Sequence, residues 1–281
     1  MINRPPSRLF FNGCSFVHGL DVAWDYNKNP RLTEESRILG SNYWHDLQKV
    51  NLSGRVHALM GSTEVVNKAR NGNNNDVIAY DTIAFFKAMM DSGGDPTEWM
   101  AFIGWTEPAR IMIFDELDSH AAMTFNPFNI NDLIKQTSMY DNDRMQYLHE
   151  FYERHREFSK AFVTCATPTW LANQLLRSVL TVQFFLDSIG VKYVFWNSLH
   201  PMPRPNGAYL PRMIYSTTDQ SHWLPVWSTT DHPIFTGWLP MIKKSMMTRT
   251  NHPTKEAVDI FADQLVGFVQ KSHGLAIDTV T

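Results

Sequence analysis

The chain has 281 residues, of which 43% are hydrophobic and 19% charged, and its formal net charge is −3 at pH 7. This composition supports a sizeable core and argues against global disorder. The absence of a basic excess argues against a nucleic-acid partner, and no run approaches the ~18 apolar residues that would predict a membrane-spanning helix.

The first half of the sequence alternates apolar runs, which are typical of buried strands, with helical patterns. Strands are predicted at 9–11, 64–67 and 99–103, and helices at 41–50 and 76–90.

An Asn- and Asp-rich stretch follows at 115–142, from which we expect loop and short helix. A charged, exposed helix is predicted at 144–158, a long helix at 167–188 and a strand at 191–196. An amphipathic helix is predicted at 254–271, with Ala257, Ile260 and Phe261 near its apolar face. The stretch 197–250 is rich in Pro and Trp and has no clear periodicity, so it is interpreted as an insertion.

This order of strands and helices favours an α/β fold, a flavodoxin-like three-layer sandwich with a central parallel sheet. We see no convincing boundary and predict one domain over 1–281.

Polar residues and turn glycines follow the predicted strands, where sites form in open parallel sheets. Ser15 follows the first strand, Gly72 the second and Thr106 the third, and His252 precedes the last helix. Acyl transfer needs these groups: a hydroxyl nucleophile, an imidazole base, and N–H donors for an oxyanion. A glycine N–H can approach a substrate closely because it carries no side chain.

Four segments resemble, in order, the conserved blocks of the SGNH (GDSL-like) hydrolases: FFNGCSFVHG, NKARNGNNND, FIGWTEPAR and HPTKEAVDIFADQL. The third is similar to the Gly-Trp-Thr…Arg variant of phage-encoded members. The resemblance implies an SGNH-like fold, with Ser15 as nucleophile and His252 as general base. It implies that the N–H groups of Ser15 and Gly72 are oxyanion donors. It also implies that Asn74 or Asn75 orders the loop beside Gly72.

Three positions depart from the family pattern. Cys14 stands where the family has Asp, and Thr106 stands where it has an Asn that donates to the oxyanion; a Thr hydroxyl can donate one hydrogen bond over a shorter reach. Arg249 replaces the Asp three residues before the histidine. Asp219, Asp231 or a backbone carbonyl could orient His252 instead, or the site is degraded.

Each candidate also has a purely structural interpretation. Ser15 and Gly72 could be turn residues, His252 could simply precede a helix, Thr106 could cap one, and Arg110 is expected to pair with an acid. His18 is interpreted as a loop residue that could line the pocket.

For Trp196, Trp223, Trp227 and Trp238, packing is favoured over stacking on sugars. Cys14 and Cys165 are expected to be reduced, semi-buried thiols, and no metal or other cofactor is expected.

The leading functional hypothesis is an esterase or deacetylase acting on a small acyl ester or, if the phage resemblance holds, on an O-acetylated cell-surface glycan. The alternative is a degraded SGNH-fold protein with a structural or binding role, such as a virion component with virion or self-association partners. The amino terminus does not resemble a signal peptide, so we expect synthesis in the cytoplasm, with virion association as an open setting.

Overall fold

A computed structural model describes residues 6–18, 50–114, 122–139, 143–199, 216–224, 237–247 and 252–275, together with the single positions 202, 214 and 234. Its central feature is a sheet of four parallel strands in the order β2-β1-β3-β6. These strands are β1 (Arg8–Gly13), β2 (Glu64–Asn67), β3 (Trp99–Trp105) and β6 (Lys192–Asn197). The predicted parallel sheet is therefore confirmed.

Helices cover both faces of this sheet, as the alternation of elements predicted. The helices are α1 (Ser15–His18), α2 (Leu52–Met60), α3 (Asn75–Asp91), α4 (Ile130–Thr137), α5 (Asp143–Arg154), α6 (Arg156–Cys165), α7 (Pro168–Ser188) and α8 (Lys255–His273). Within the described ranges, none combines the length and apolar character needed to cross a bilayer.

The apolar strands supply two cores because successive side chains of a strand point to opposite faces. Phe11 and Phe102 pack with α2 and α8 on one face. Phe10 and Ile103 pack with α3 and α7 on the other. All seven residues of β3 are buried, as expected for a central parallel strand covered on both sides.

The strand order fixes where a site can form. β1 lies between β2 and β3, so the connections that follow β1 and β3 leave the sheet toward opposite faces. In doubly wound sheets this reversal opens a crevice at the carboxyl ends of the two strands. The residues that follow Gly13 and Trp105 therefore occupy the favoured position for a site.

A second, smaller unit follows β3. β4 (Ile111–Phe114) and β5 (Ala122–Phe125) form an antiparallel hairpin, and α4, α5 and α6 follow it. Phe125, Ile134 and Phe151 are members of its own apolar cluster. The expectation of loop and short helix at 115–142 was therefore incomplete, because it missed β5.

The expectation of one exposed charged helix at 144–158 was wrong. The chain forms α5 and α6, which meet at His155, and Phe151 and Tyr152 on α5 are buried. The segment has many charged side chains, so the sequence did not indicate its apolar stripe. That stripe packs on the hairpin.

The two predicted long helices and the final strand are confirmed. Thr167 caps α7 by accepting a hydrogen bond from Trp170 N, and Thr254 caps α8 in the same way. Ile260 was expected on the buried face of α8 but is 44% exposed. Helix α2 was not predicted, and residues 41–49 of the helix expected at 41–50 lie outside the described residues.

The described part of 197–250 contains short 3-10 turns, at Gln220–His222, Leu239–Met241 and Lys244–Met246. Residues from this stretch bond to the backbone of β6; for example, Leu224 N donates to Phe195 O, and Trp238 N donates to Asn197 O. These bonds fix the described turns on the last strand of the sheet.

Candidate active site

Ser15 is the first residue of α1, directly beyond the carboxyl end of β1. The carbonyl oxygen of Cys14 accepts hydrogen bonds from Val17 N and His18 N, which closes the first turn of the helix. The earliest N–H groups of a helix have no partner within it, so the N–H of Ser15 is not used by α1. Ser15 is only 4% exposed, so a reagent would need a narrow approach to its hydroxyl.

Two glycines allow α1 to lie close to the strand ends. Gly13 and Gly104 are paired in register across β1 and β3. A Cβ on Gly13 would lie 2.5 Å from Val17 Cγ2, and one on Gly104 would clash with Val17 and with Ser198 Oγ. At both positions glycine is required by this close packing, a role that the sequence did not indicate.

His252 lies beside the helix that carries Ser15. Its ring centroid is 5.6 Å from that of Phe16, the residue after Ser15. Phe16 also contacts Trp238 edge to face at 5.8 Å. Because Thr254 caps α8, His252 sits just before that helix begins, and the fold brings the first and last of the resembling blocks together.

The loop that carries Gly72 is bonded to the end of β1. Gly72 has a φ of 75° and follows Asn71 in a turn closed by the bond from Asn73 N to Arg70 O. Its positive φ explains the glycine as a turn residue. Arg70 N and Asn73 Nδ2 both donate to Gly13 O, at 3.2 and 3.1 Å. These two bonds therefore hold the loop against Gly13, which lies two residues before Ser15 in the sequence.

The next two asparagines complete this anchoring. Asn74 Oδ1 accepts from Val77 N and caps α3. Asn75 binds the backbone of Thr106 at the end of β3: its Oδ1 accepts from Thr106 N at 2.9 Å, and its Nδ2 donates to Thr106 O at 3.1 Å. Asn73, Asn74 and Asn75 thus attach one loop to β1, α3 and β3 respectively.

The Thr106 side chain is in an unusual state. Its Oγ1 is buried and has no hydrogen-bond partner among the described residues. Thr106 caps no helix in the structure, so that structural interpretation was wrong. A buried hydroxyl without a partner costs free energy, and it can regain a bond from a ligand.

Asn12 is a further polar residue that the sequence did not single out. It is fully buried at the end of β1. Its Nδ2 donates to Ile78 O and Thr82 Oγ1 of α3, and its Oδ1 accepts from Gly13 N. Its place directly after the apolar run Leu9-Phe10-Phe11 was the sequence signal that could have identified it.

Asp219, one candidate partner for His252, is engaged elsewhere. Its Oδ1 accepts from Ser221 N and Oγ, and its Oδ2 lies 3.5 Å from His222 Nε2. Partial burial acts to raise the pKa of Asp219, but the Ser221 hydrogen bonds and nearby His222 lower it below its usual value. The other candidate, Asp231, lies outside the described residues, as does Arg249.

Two other sequence expectations concern residues near the site. His18 lies in α1 and not in a loop, and burial lowers the pKa of its imidazole. Arg110 pairs with an acid as expected: its Nε lies 3.6 Å from Glu107 Oε2, which also accepts from Asn126.

The tryptophan and cysteine expectations have clear outcomes. Trp196, Trp223 and Trp238 are buried, which confirms the packing interpretation; Trp227 lies outside the described residues. Cys14 and Cys165 are both free, but Cys14 is fully buried and Cys165 is exposed, so neither is semi-buried.

Titratable side chains gather at the opposite end of the sheet, where β6 begins. The ring of His222 stacks on Tyr193 at 4.1 Å and lies 5.3 Å from the ring of His273, the last residue of α8. Burial first, and then the charges of His222 and Lys192, lower the pKa of His273 to about 4. Burial, together with Asp187 and then Asp219, raises the pKa of Tyr193.

Across the described ranges, no group of three or more potential ligands could hold a metal ion.

No protein-family model matches this chain, and no curated protein matches it either. Solved structures with a similar course include the psychrotrophic esterase EstA from a Pseudoalteromonas species, inhibited by monoethylphosphonate. It is 8% identical, with a TM-score of 0.43, and the match covers 95% of this chain and 99% of the esterase. Another is a Bacteroides fragilis protein whose assignment as an acylhydrolase is provisional. It is 12% identical, with a TM-score of 0.33 and coverage of 96% and 91%. Neither likeness bears on activity, which the residues of this chain must support by themselves.

Proposed function

We propose that this chain is an SGNH-type serine hydrolase that cleaves acyl esters, with Ser15 as nucleophile and His252 as general base. The observation that carries the proposal is the contact between the rings of His252 and Phe16, because Phe16 follows Ser15 directly. Acyl transfer requires an imidazole that can reach a serine hydroxyl, and this contact brings the ring of His252 to the turn of α1 that begins with Ser15.

In this mechanism Ser15 Oγ attacks the ester carbonyl carbon while His252 accepts the hydroxyl proton. The carbonyl oxygen becomes an oxyanion that accepts hydrogen bonds from Ser15 N, Gly72 N and Thr106 Oγ1. His252 then gives its proton to the departing alcohol as the C–O bond breaks, leaving an acyl-serine. Water, deprotonated by His252, then attacks the acyl carbon; the bond to Ser15 Oγ breaks, His252 returns the proton to that oxygen, and the acid is released.

The unpartnered hydroxyl of Thr106 supports its part in this scheme. Asn75 holds the backbone of Thr106 in place, so the hydroxyl needs no reorganisation to meet a developing charge. We expect Thr106→Val, which keeps the shape of the side chain, to lower kcat by about 100-fold with little change in KM. An unchanged kcat would remove Thr106 from the oxyanion site.

The nucleophile is tested by labelling with a fluorophosphonate. Because Ser15 is nearly buried, the reagent should carry a small alkyl group and a reporter on a flexible linker. We expect the wild type to be labelled and the Ser15→Ala and His252→Gln variants not to be. Ser198→Ala is the matched control: this serine is also buried at a strand end, and its hydroxyl has no partner among the described residues.

A folded wild type that resists the small reagent and hydrolyses no short-chain ester would contradict the proposal. The departures at Cys14 and Arg249 would then favour the alternative, a degraded SGNH-fold protein that binds a partner, such as a virion component.

The finer part of the proposal is an O-acetylated glycan as substrate, which rests on the similarity of FIGWTEPAR to phage-type members. The buried tryptophans offer no ring faces to a sugar, whereas Phe128, Phe158 and Trp170 are exposed. Release of acetate from an O-acetylated polysaccharide, compared with hydrolysis of p-nitrophenyl acetate, tests this step. Hydrolysis of the small ester alone would leave an esterase that does not act on the glycan.

A further inference from the structure

A groove with a volume of about 450 Å³ lies between α3 and the β2 edge of the sheet. The groove exists because the helices on one face of the sheet cover fewer strands than the sheet contains. On this face α3 and α7 pack over β1, β3 and β6, and among the described elements no third helix covers β2. Val66 packs against the apolar cluster of this face, and Lys68 lines the open space.

The floor of the groove is apolar and comes from one side of α3. Ala84 and Phe85 lie one turn before Ala88 and Met89, and all four line the space. The Phe85 ring is fixed, because it stacks on Phe10 at 4.5 Å and meets Trp99 edge to face. A fixed ring and small neighbours leave an apolar channel without requiring the core to open.

The rim of the groove carries excess positive charge. Arg70 Nη2 lies 3.1 Å from Asp81 Oδ2, so these two charges largely compensate each other. Lys68 also lines the groove, and within the described part of the chain its ammonium has no ion-pair partner. The net charge of the rim is therefore about that of one cation.

We propose that this groove binds a monoanionic amphiphile, of which a medium-chain fatty carboxylate is the simplest. The carboxylate contacts Lys68 and Arg70, and the chain lies over Ala84, Ala88 and Met89. A single negative charge matches the net charge of the rim, whereas the charge of a dianionic phosphate group would exceed it. The volume is in the range of pockets that hold small ligands.

This site is separate from the proposed chemistry at Ser15 but shares a loop with it. Lys68 and Arg70 lie on the segment that leads from β2 to Gly72, and Arg70 N is bonded to Gly13 O. Binding of the carboxylate does not depend on hydrolysis, so Ser15→Ala should bind it as the wild type does.

The experiment is calorimetric titration of the full chain with decanoate below its micellar concentration, beside decanol and decyltrimethylammonium. We expect saturable binding of decanoate, weaker binding of decanol and the weakest binding of the cation. Lys68→Glu should weaken decanoate binding about tenfold or more, because attraction becomes repulsion. Lys87→Ala is the control: this lysine lies on α3, does not line the groove and pairs with Asp91, so its removal should change decanoate binding by less than about twofold.

A second variant, Ala88→Trp, tests the path of the chain. Ala88 is exposed, so the larger ring can enter the groove without overpacking the core, and decanoate binding should be lost. The proposal is overturned if the wild type shows no saturable decanoate binding. It is also overturned if folded Lys68→Glu, verified by circular dichroism, binds decanoate as tightly as the wild type.

Discussion

The two ends of the parallel sheet are built from different polar groups. At the carboxyl end, neutral asparagine amides join the loops to the strands, as Asn73 does to Gly13 and Asn75 to Thr106. At the amino end of β6, His222 and His273 pack with Tyr193 in a titratable cluster.

The two ends of the sheet are therefore expected to respond differently to pH. Amides satisfy buried backbone groups at any pH, so they keep the candidate site in one geometry. The histidine cluster differs from the amides, because the protonation of His273 changes with pH. We therefore expect geometry at the carboxyl end to be insensitive to pH, and stability to respond to pH through the amino end.

The largest expected effect comes from breaking the amide link at the carboxyl end. Asn75→Ala leaves Thr106 N and O buried without partners, and should lower the free energy of unfolding by about 3 kcal/mol. Urea unfolding at pH 7 measures this. Asn71→Ala, an exposed change in the same loop, is the control and should cost less than about 0.5 kcal/mol. Equal effects of the two changes would mean that the link is not structural.

The next effect sharpens the contrast in pH dependence. The pKa of His273 is about 4 in the folded protein, against a usual value of 6.5. As pH falls below 6.5, the unfolded chain binds a proton that the folded protein does not bind until about pH 4. Stability is therefore lost across this window, by about 1–2 kcal/mol once solvent screening is allowed for.

Urea unfolding at pH 7 and at pH 4.5 measures this loss. His273→Gln should reduce it, and His222→Gln should reduce it in part, because the charge of His222 contributes to the lowered pKa. If His273→Gln and the wild type lose stability equally, the acid sensitivity has another source.

The smallest effect is local to the start of α3. Asn74→Ala removes the cap that accepts from Val77 N and should lower the free energy of unfolding by about 1 kcal/mol. Asn74→Asp keeps the acceptor and should retain most of the stability. Thermal unfolding distinguishes them, and an Asp variant as unstable as the Ala variant would indicate that packing, not capping, is lost.

The sequence predicted the elements whose apolar residues are continuous or regularly spaced, such as β3 and α7. It did not predict the hairpin of β4 and β5 or the apolar cluster that the hairpin shares with the following helices, because Phe125 and Phe151 become a core only when distant segments meet. Ile260 fits a helical stripe in the sequence, yet it faces solvent.

The candidate site divides in the same way. Ser15 and His252 were identified by resemblance to family blocks, and local turn chemistry accounts for Gly72. The amide link from Asn75 to Thr106 could not be derived, because nothing in either segment specifies which backbone an asparagine will bind. The partner of His252 was also left open by the sequence, and the bonds of Asp219 direct it to Ser221 and His222 instead.

The contact between Phe16 and His252 has a consequence for biosynthesis. The two rings come from residues more than two hundred positions apart, so a ribosome adding about 5–20 residues per second needs about 10–50 s to make the second after the first. If His252 is the base, a nascent chain displays its serine long before it can use it. Hydrolysis would then begin only when the last helix has emerged and docked, so the newly made protein stays inert until folding is complete.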